Sequence, residues 1–276
     1  MDDNVFVSVI IPTYNRCDYI SASIDSVLKQ TCENLELIVV DDASEDDTAQ
    51  VVTSIRDERI KYYRLNKNSG AAAARNFGVD KAKYDLIAFN DSDDRWRPEK
   101  LEKQIQRFNE IPEAVLVYSA YECKKDGLNR RVPPEEYPCT MLEGDIYRYL
   151  LKNNTVGAPT ILIRRDVFEK AGEFDSAYQA LEDWNLVLKA AKFGKFAYVD
   201  EVLLDVTLLQ DGVSSSGANY FNGRCRLLAD YMEDIQAYGL FDDVCGDILK
   251  RAESEGVLDH VKKMMMLCLQ EKMGKL

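Results

Sequence analysis

The first hundred residues alternate between short apolar runs and segments whose apolar residues recur at helical spacing. Nearly continuous apolar runs lie at 6–11, 35–40, 60–65 and 85–90. Between the first two, Ile20, Ile24 and Val27 lie on one face of a predicted helix, and an Ala-rich helix is predicted from Ala71 to about Ala82. Short apolar runs are typical of strands covered on both faces. The alternation therefore predicts an α/β fold with a mainly parallel central sheet and helices on both faces.

The second half of the chain is less regular. We expect a helix beginning at Pro98, a strand at Ala114–Tyr118, a polar loop over 124–138 and a further helix beginning near Glu182. From about Gly212 the composition changes to SSSG and then to helical stretches. This change indicates a C-terminal helical extension.

Composition and charge exclude several classes of function. The chain has 276 residues and a net charge of −13, from 35 Lys and Arg against 48 Asp and Glu. Nucleic-acid affinity comes mainly from clustered Lys and Arg, so we expect no nucleic-acid partner. The seven cysteines are an odd number without CxxC spacing, and His260 is the single histidine. Neither a zinc site nor a disulfide framework fits this pattern.

The sequence shows no targeting or membrane-spanning segment. No apolar run approaches the ~20 residues that a transmembrane helix needs, and the acidic first residues differ from a signal peptide. We therefore expect a cytoplasmic protein. Peripheral contact with the inner face of a membrane and a homodimer formed through the C-terminal helices are both left open.

Polar segments follow the predicted strands at the edge where parallel α/β sheets bind ligands. Pro12–Asn15, Asp41–Ser44 and Asp91–Asp94 follow the first, second and fourth strands. The carboxylates of 91–94 would repel one another without a cation. Oxygen ligands favour Mg²⁺ or Mn²⁺, held jointly with a phosphate. The alternative is a capped turn ahead of the next helix.

Asp42 and Arg75 are further candidates on this side of the predicted sheet. A carboxylate at the end of an apolar strand, such as that of Asp42, can accept a hydrogen bond from a base or a ribose. Alternatively, it caps the next helix. Arg75 lies in the Ala-rich helix after Gly70 and could pair with the acidic clusters or with a phosphate, or be solvated.

Asp183 is the candidate general base. It lies in the segment Glu182, Asp183, Trp184 at the start of a predicted helix. A helix N-terminus stabilises a carboxylate, so a capping role is the default interpretation. A partly desolvated carboxylate also has a raised proton affinity, which suits a general base.

Five segments resemble, in order, the motifs of the inverting family 2 nucleotide-sugar glycosyltransferases. They are VSVIIPTYNR, LELIVVDDASEDDT, NSGAAAARNFG, YDLIAFNDSDDRWRPEKL and LEDWNL, and the match spans residues 5 to about 205. The resemblance implies a GT-A type fold. Residues 1–115 would form the nucleotide-sugar-binding half, 116–211 the acceptor-binding half of the same domain, and 212–276 the C-terminal helical extension.

The resemblance also implies roles for residues of the nucleotide pocket. Pro12, Thr13 and Tyr14 would line the uracil pocket of a UDP-sugar donor. Asp42 would form a hydrogen bond to the uracil base. Arg75 matches the arginine of the family's ARN motif, which lies near the diphosphate.

The remaining motifs imply the chemistry. Asp91 and Asp93 match the DxD pair, with Asp91 nearer the ribose and Asp93 on a Mn²⁺ or Mg²⁺ ion, and Asp183 matches the catalytic base. An inverting hexosyltransferase of this kind would move a sugar from its donor to a hydroxyl of a saccharide or lipid-linked acceptor, in polysaccharide or glycolipid synthesis.

One departure from the family pattern concerns the loop after the last core strand. Many relatives carry a histidine there, whereas this chain reads LLDVTLLQDGVSSSG. Asp205, Gln210 or Asp211 are candidate substitutes.

Two alternatives are kept. A Mg²⁺-dependent phosphotransferase or phosphatase could also use clustered aspartates, and a non-catalytic nucleotide-sugar-binding protein would keep the pocket without transfer. An oxidoreductase is disfavoured because no GxGxxG follows the first strand.

Overall fold

The computed structural model describes residues 5–125, 128–207 and 217–273. Its first half contains four neighbouring parallel strands in the order β3, β2, β1, β4. They are β1 (Val7–Thr13), β2 (Leu35–Asp41), β3 (Ile60–Arg64) and β4 (Leu86–Phe89). Every residue of β1 and β2 is buried, as expected for strands covered on both faces.

Helices cover both faces of this part of the sheet. They are α1 (Ile20–Leu28), α2 (Thr48–Ser54), α3 (Ala71–Lys81) and α4 (Lys100–Glu110). Alternate residues of a strand point to opposite faces. Accordingly, Ile10 packs in one apolar cluster with Ala74 of α3, whereas Val9 packs in the other with Ile24 of α1. The predicted βαβ series is present.

The sheet continues into the second half of the chain in the order β4, β8, β6, β9, β5, with β7 paired to β6. These strands are β5 (Arg95–Trp96), β6 (Ala114–Lys125), β7 (Leu128–Val132), β8 (Leu162–Arg164) and β9 (Lys195–Thr207). β8 is antiparallel to both β4 and β6, and β9 is parallel to β6. Among the described strands, six of nine therefore run in one direction.

The predicted loop over 124–138 is wrong in part, because it contains β7. This strand pairs with β6 in antiparallel register, from Tyr121 opposite Val132 to Cys123 opposite Arg130. Its residues LNRRV lack the apolar alternation of a half-buried strand. An edge strand is held by backbone hydrogen bonds to one neighbour, so its side chains need not be apolar.

Shorter elements lie between β7 and β9 in the second half of the chain. The helices are α5 (Tyr147–Leu150), α6 (Arg165–Lys170) and α7 (Glu182–Ala190), with 3₁₀ turns at Cys139–Met141 and Ala158–Thr160. α7 begins at Glu182, where the sequence predicts a helix.

The C-terminal extension is helical, as predicted. It contains α8 (Gly217–Asp230), α9 (Met232–Ala237), α10 (Phe241–Ser254) and α11 (Leu258–Met273). Phe221, Leu228 and Val261 are buried in the same apolar cluster as Val187 of α7. The extension therefore shares its core with the α/β sheet. Of the predicted domain boundaries, the one after residue 115 falls inside β6, and the one after 211 lies outside the described residues. That division stays a prediction.

No described helix is long and apolar enough to cross a bilayer.

Candidate active site

The carboxyl ends of β1, β2 and β4 bring the predicted polar segments to one edge of the sheet. Thr13 lies opposite Asp41 in the β1–β2 pairing, and the backbone N–H of Asp42 donates to the Thr13 carbonyl at 2.8 Å. Pro12 and Thr13 are buried at the end of β1, and the Tyr14 side chain is 39% exposed beyond it. This arrangement leaves an aromatic ring accessible at the edge.

The loops after β1 and β2 are tied together by reciprocal hydrogen bonds. The Asn15 N–H donates to Ser44 Oγ at 3.0 Å, and the Glu45 N–H donates to Asn15 Oδ1 at 2.8 Å. Burial alone would raise the pKa of Asp46, but hydrogen bonds from Thr48 and Cys17 outweigh it and lower that pKa to about 2. The loop that carries Tyr14 is therefore anchored to a charged side chain.

Asp42 is anchored to the start of α3. Its Oδ1 accepts the Ser69 N–H at 2.8 Å, and its Oδ2 accepts the Gly70 N–H at 2.7 Å. Gly70 has a φ of +88°, which a residue with a side chain adopts only with strain. Burial raises the pKa of Asp42. Each carboxylate oxygen can accept a further hydrogen bond, so this anchoring leaves room for a ligand.

Arg75 joins two acidic motifs that lie far from each other in the sequence, because Asp91 is 16 residues from it and Glu182 is 107 residues from it. Its Nη1 donates to Glu182 Oε1 at 2.7 Å, and its Nη2 donates to Asp91 Oδ1 at 2.6 Å. Burial alone would lower the pKa of Arg75, but the charges of Asp91 and Glu182 outweigh it and raise that pKa. The structure thus contains the predicted pairing of Arg75 with acidic residues. Only 4% of Arg75 is exposed, which excludes a solvated side chain.

The three aspartates after β4 have different surroundings. Asp91 is paired with Arg75, as above. Asp94 is buried, and its Oδ1 accepts the Thr207 N–H at 3.1 Å. Burial and the charges of Asp91 and Asp93 raise the pKa of Asp94 well above its ordinary value. Asp93 is 19% exposed, with Oδ2 3.9 Å from Arg16 Nε. Like charges thus crowd this turn, a condition that a cation relieves.

The donor set of this turn suits a metal that is shared with a ligand. Within 5–125, 128–207 and 217–273, no three His, Cys, Asp or Glu side chains are grouped to hold a metal ion. Asp205 pairs with Arg97 at 3.2 Å and Lys124 at 2.9 Å, while Gln210 and Asp211 lie outside the described residues. Mg²⁺ is commonly held by one or two carboxylates together with substrate phosphates. Asp93 with a diphosphate fits that description.

Asp183 lies in the first turn of α7 with a strongly perturbed proton affinity. Its Oδ1 accepts the Trp184 N–H at 2.6 Å, and its Oδ2 accepts the Ala158 N–H at 3.3 Å. Burial raises the pKa of Asp183 to about 7, and the charge of Glu182 adds to the effect. A carboxylate with that pKa can take up a proton near neutral pH, as a general base must.

A cavity of about 810 Å³ opens beside Asp183 and Trp184. The β6–β7 hairpin contributes Tyr121 and Arg130 to its wall, and the segment 152–157 contributes Lys152 and Thr155. Helices α8 and α10 contribute a further part of the wall, with Tyr220, Arg224, Asp247 and Arg251.

The site contains residues that the sequence did not assign. Glu182 holds Arg75, and its position beside Asp183 in LEDWNL was the one signal for it. The cavity residues of α8 and α10 belong to no recognised motif. Helical spacing predicts the helices themselves, but it does not predict which other elements they pack against.

Comparison with known proteins gives a consistent result. The model of Glycosyl transferase family 2 matches residues 8–172. An uncharacterized glycosyltransferase of Rickettsia typhi, RT0329, is 33% identical over 202 residues, which cover 72% of this chain and 62% of that protein. The Escherichia coli UDP-Glc:alpha-D-GlcNAc-diphosphoundecaprenol beta-1,3-glucosyltransferase WfgD is 34% identical over 238 residues, which cover 84% of this chain and 88% of that protein. The chain thus spans less than two thirds of RT0329 and most of WfgD.

Solved structures share the fold. S. aureus TarS in complex with UDP-GlcNAc superposes with a TM-score of 0.68 at 18% identity, over 97% of this chain and 90% of that one. The mannosyltransferase PcManGT of Pyrobaculum calidifontis, in complex with GDP-Man and Mn²⁺, has a TM-score of 0.62 at 18% identity, over 92% and 77% of the two chains. The predicted GT-A type fold and the predicted family are confirmed, and membership of that family favours glycosyl transfer over the phosphotransferase and non-catalytic alternatives.

Proposed function

The chain belongs to glycosyl transferase family 2, and we propose that it moves a sugar from a UDP-sugar to a hydroxyl of a saccharide or lipid-linked acceptor, with inversion. The observation that carries the proposal is the position of Asp183. It lines the 810 Å³ cavity on one side, and on the other its neighbour Glu182 is joined through Arg75 to Asp91 at the strand-end edge. A base in this position lies between an acceptor site and a donor site.

The donor pocket is proposed at the ends of β1, β2 and β4. Pro12, Thr13 and Tyr14 would line the uracil pocket. The resemblance implies that Asp42 forms a hydrogen bond to the uracil base. WfgD is a glucosyltransferase with a UDP-Glc donor, and TarS is solved with UDP-GlcNAc, which supports a uridine nucleotide. We place Arg75 as a positioning residue that acts through Asp91, because both of its terminal nitrogens are bound to carboxylates.

Asp93 would hold Mn²⁺ or Mg²⁺ together with the donor diphosphate, and Asp91 would lie nearer the ribose. PcManGT is solved with Mn²⁺, which supports a divalent ion in this fold. When bound, such an ion supplies positive charge that stabilises the departing diphosphate.

The reaction proposed for these residues is a single displacement. Asp183 takes the proton of the acceptor hydroxyl, and the oxygen attacks the anomeric carbon from the face opposite the diphosphate. The bond between that carbon and the diphosphate oxygen breaks as the new glycosidic bond forms, and UDP leaves. One displacement inverts the anomeric centre.

The acceptor is proposed to be lipid-linked, in the synthesis of a polysaccharide or glycolipid. WfgD, which this chain matches over most of its length, transfers to an alpha-D-GlcNAc-diphosphoundecaprenol acceptor. Such an acceptor would place the reaction at the inner face of a membrane with the protein in peripheral contact. A homodimer through the C-terminal helices stays a prediction.

Calorimetric titration with UDP, with and without Mn²⁺, tests the donor half directly, with GDP and NAD⁺ as controls. We expect metal-dependent binding that is selective for UDP. Equal binding of all three nucleotides, or no binding of UDP, would overturn the proposed nucleotide pocket.

The variant Asp93→Ala is expected to lose the metal-dependent part of UDP binding, because it removes the proposed carboxylate ligand. Asp205→Ala is the matched control, since that carboxylate is held by Arg97 and Lys124. Titration of both variants with and without Mn²⁺ checks the assignment. Loss of the metal effect in Asp205→Ala alone would assign the ion to Asp205 instead.

A further inference from the structure

The cavity beside Asp183 contains a buried arginine that lacks an anionic partner. Arg224, in the middle of α8, is 4% exposed, and its Cζ lies 4.2 Å from the ring centroid of Trp184. Its Nε is buried without a hydrogen-bond partner, and among the described residues the nearby carboxylate of Asp247 acts on it through its charge and not through an ion pair. Burial lowers the pKa of Arg224, and the charge of Asp247, which also lines the cavity, offsets only part of that effect. The guanidinium nevertheless stays charged.

Other buried or cavity-lining cations have side-chain partners that Arg224 lacks. Lys100 is also buried over a tryptophan ring, that of Trp96, but its Nζ donates to Gln104 Oε1 at 2.8 Å. Arg75 is equally buried but binds two carboxylates. On the cavity wall itself, Lys152 pairs with Asp243 at 2.9 Å, and Arg251 pairs with Glu255 at 2.8 Å. A buried charge without a paired counter-ion is costly, so an anionic ligand that supplied the partner would bind favourably.

The surroundings of Arg224 orient its planar group toward a ligand. Trp184, on which it stacks, is fixed by a hydrogen bond from its Nε1 to the Leu150 carbonyl at 2.7 Å. Tyr149 and Thr155, whose hydroxyls are buried, also line the cavity. A held guanidinium fork with nearby hydroxyls is suited to the oxygens of a phosphate or a carboxylate.

We propose that Arg224 is the anion-binding residue of the acceptor cavity and receives a phosphate or carboxylate group of the acceptor. The inference rests on the proposed function, because Asp183 is taken as the base that faces the acceptor hydroxyl. Trp184 directly follows Asp183, so the anion site and the base are held by the same turn of α7. The C-terminal helices would then determine that the enzyme takes an anionic acceptor.

Fluorescence of Trp184 provides a direct readout of anion binding, in a Trp96→Phe background that removes the other tryptophan. The titrants are inorganic pyrophosphate for the phosphate class and glucuronate for the carboxylate class, in EDTA to suppress binding through a metal. We expect saturable binding of at least one anion. Arg224→Gln should weaken it about 10- to 100-fold, because a hydrogen-bonded charge is lost, and Arg224→Lys should weaken it less.

Arg226→Gln is the matched control. Arg226 lies on the same helix but pairs with Asp230 at 3.5 Å and does not line the cavity, so anion affinity should be unchanged. The anion that responds to Arg224→Gln identifies the class of acceptor group. Equal affinity of Arg224→Gln and the unsubstituted protein for both anions, or no anion binding to the unsubstituted protein, would overturn the site.

UDP calorimetry on the same proteins separates this inference from the proposed function. Normal UDP binding by Arg224→Gln with loss of anion binding supports the inference and shows that the variant is folded. If Arg224→Gln does not fold, the anion and UDP affinities of Arg224→Lys are compared with those of the unsubstituted protein instead. Weaker anion binding with normal UDP binding then supports the inference. Anion binding through Arg224 in a protein that does not bind UDP would overturn the proposed donor function alone.

Discussion

Asp183 and Glu182 share the first turn of α7, yet their carboxylates have different electrostatic partners. Glu182 is neutralised by Arg75, whereas Asp183 accepts only backbone hydrogen bonds among the described residues. Burial then raises the pKa of Asp183 to about 7. The structure therefore separates a positioning carboxylate from one that can exchange a proton.

The raised pKa of Asp183 predicts a pH dependence. A general base must be deprotonated, so kcat/KM for transfer should rise with pH up to about 7 and level off above it. Asp183→Asn should lower kcat about 10²- to 10⁴-fold and abolish that rise. Steady-state kinetics between pH 5 and 9 measures both effects, with the exposed Asp259→Asn at the start of α11 as control. An unchanged pH profile in Asp183→Asn would assign the base elsewhere.

The same shift affects stability with a definite sign. Asp183 ionises near its ordinary value of 3.8 when unfolded but near 7 when folded, so the folded state binds more protons between these values. Its contribution to the free energy of unfolding therefore falls as the pH rises from about 4 to 7.

The buried ion pairs of Arg75 predict a large effect of its replacement on stability. Arg75→Met would leave Asp91 and Glu182 without their cation, and breaking a buried ion pair costs about 3–5 kcal/mol. Urea unfolding measures the change. The exposed pair of Lys29 with Asp25 is the control, since Lys29→Gln should cost less than about 1 kcal/mol. Equal losses in the two variants would contradict the role given to Arg75.

At the scale of elements, α3 lies close against the sheet because Gly78 has no side chain. A Cβ at position 78 would lie 2.5 Å from Ile10 Cγ2 and 3.3 Å from Val40 Cγ2, and Ile10 is fully buried. This close approach also fixes the start of the helix, where Ser69 and Gly70 bind Asp42 and from which Arg75 reaches Asp91.

Gly78→Ala is therefore expected to destabilise the protein by about 1–3 kcal/mol, because overpacking outweighs the better helix propensity of alanine. Gly246→Ala on α10 is the matched control. Its new Cβ would meet nothing within 4 Å, so a gain of about 0.4–1 kcal/mol is expected. Urea unfolding of the two variants compares them, and a stabilised Gly78→Ala would show that the helix can move away from β1 at little cost.

At the scale of the whole molecule, the C-terminal extension packs against the loop that leads into α7. A Cβ at Gly223 of α8 would lie 2.7 Å from the Ala180 carbonyl oxygen, and Leu181 in that loop has a φ of +65°. The extension therefore supports the backbone that places Asp183 and also supplies one wall of the cavity.

Gly223→Ala should displace α8 from this loop. We expect a loss of about 1–3 kcal/mol in stability and a lower kcat/KM for transfer, with UDP affinity unchanged because the donor edge is built from β1, β2 and β4. Kinetics and UDP calorimetry on the same preparation measure kcat/KM and UDP affinity separately. Gly246→Ala in the same extension is the control. An equal loss of UDP affinity would indicate that the extension also supports the donor half.

The first half of the fold and its strand-end clusters were predictable from the sequence, because both depend on local order. Apolar periodicity identified β1 to β4 and α3, and parallel strands place their carboxyl ends at one edge, so Thr13, Asp42 and Asp91 meet there. A polar edge strand such as β7 has no such periodicity and was missed.

What only the tertiary structure decided are the contacts between residues far apart in the chain. The sequence by itself determined the fold class, the family and the candidate residues, since these follow from local patterns and ordered motifs. Packing decided that Arg75 binds Glu182, that burial raises the pKa of Asp183, and that Arg224 stacks on Trp184 in the cavity wall. Burial and charge pairing depend on which surfaces meet in three dimensions, and a one-dimensional pattern does not contain that information.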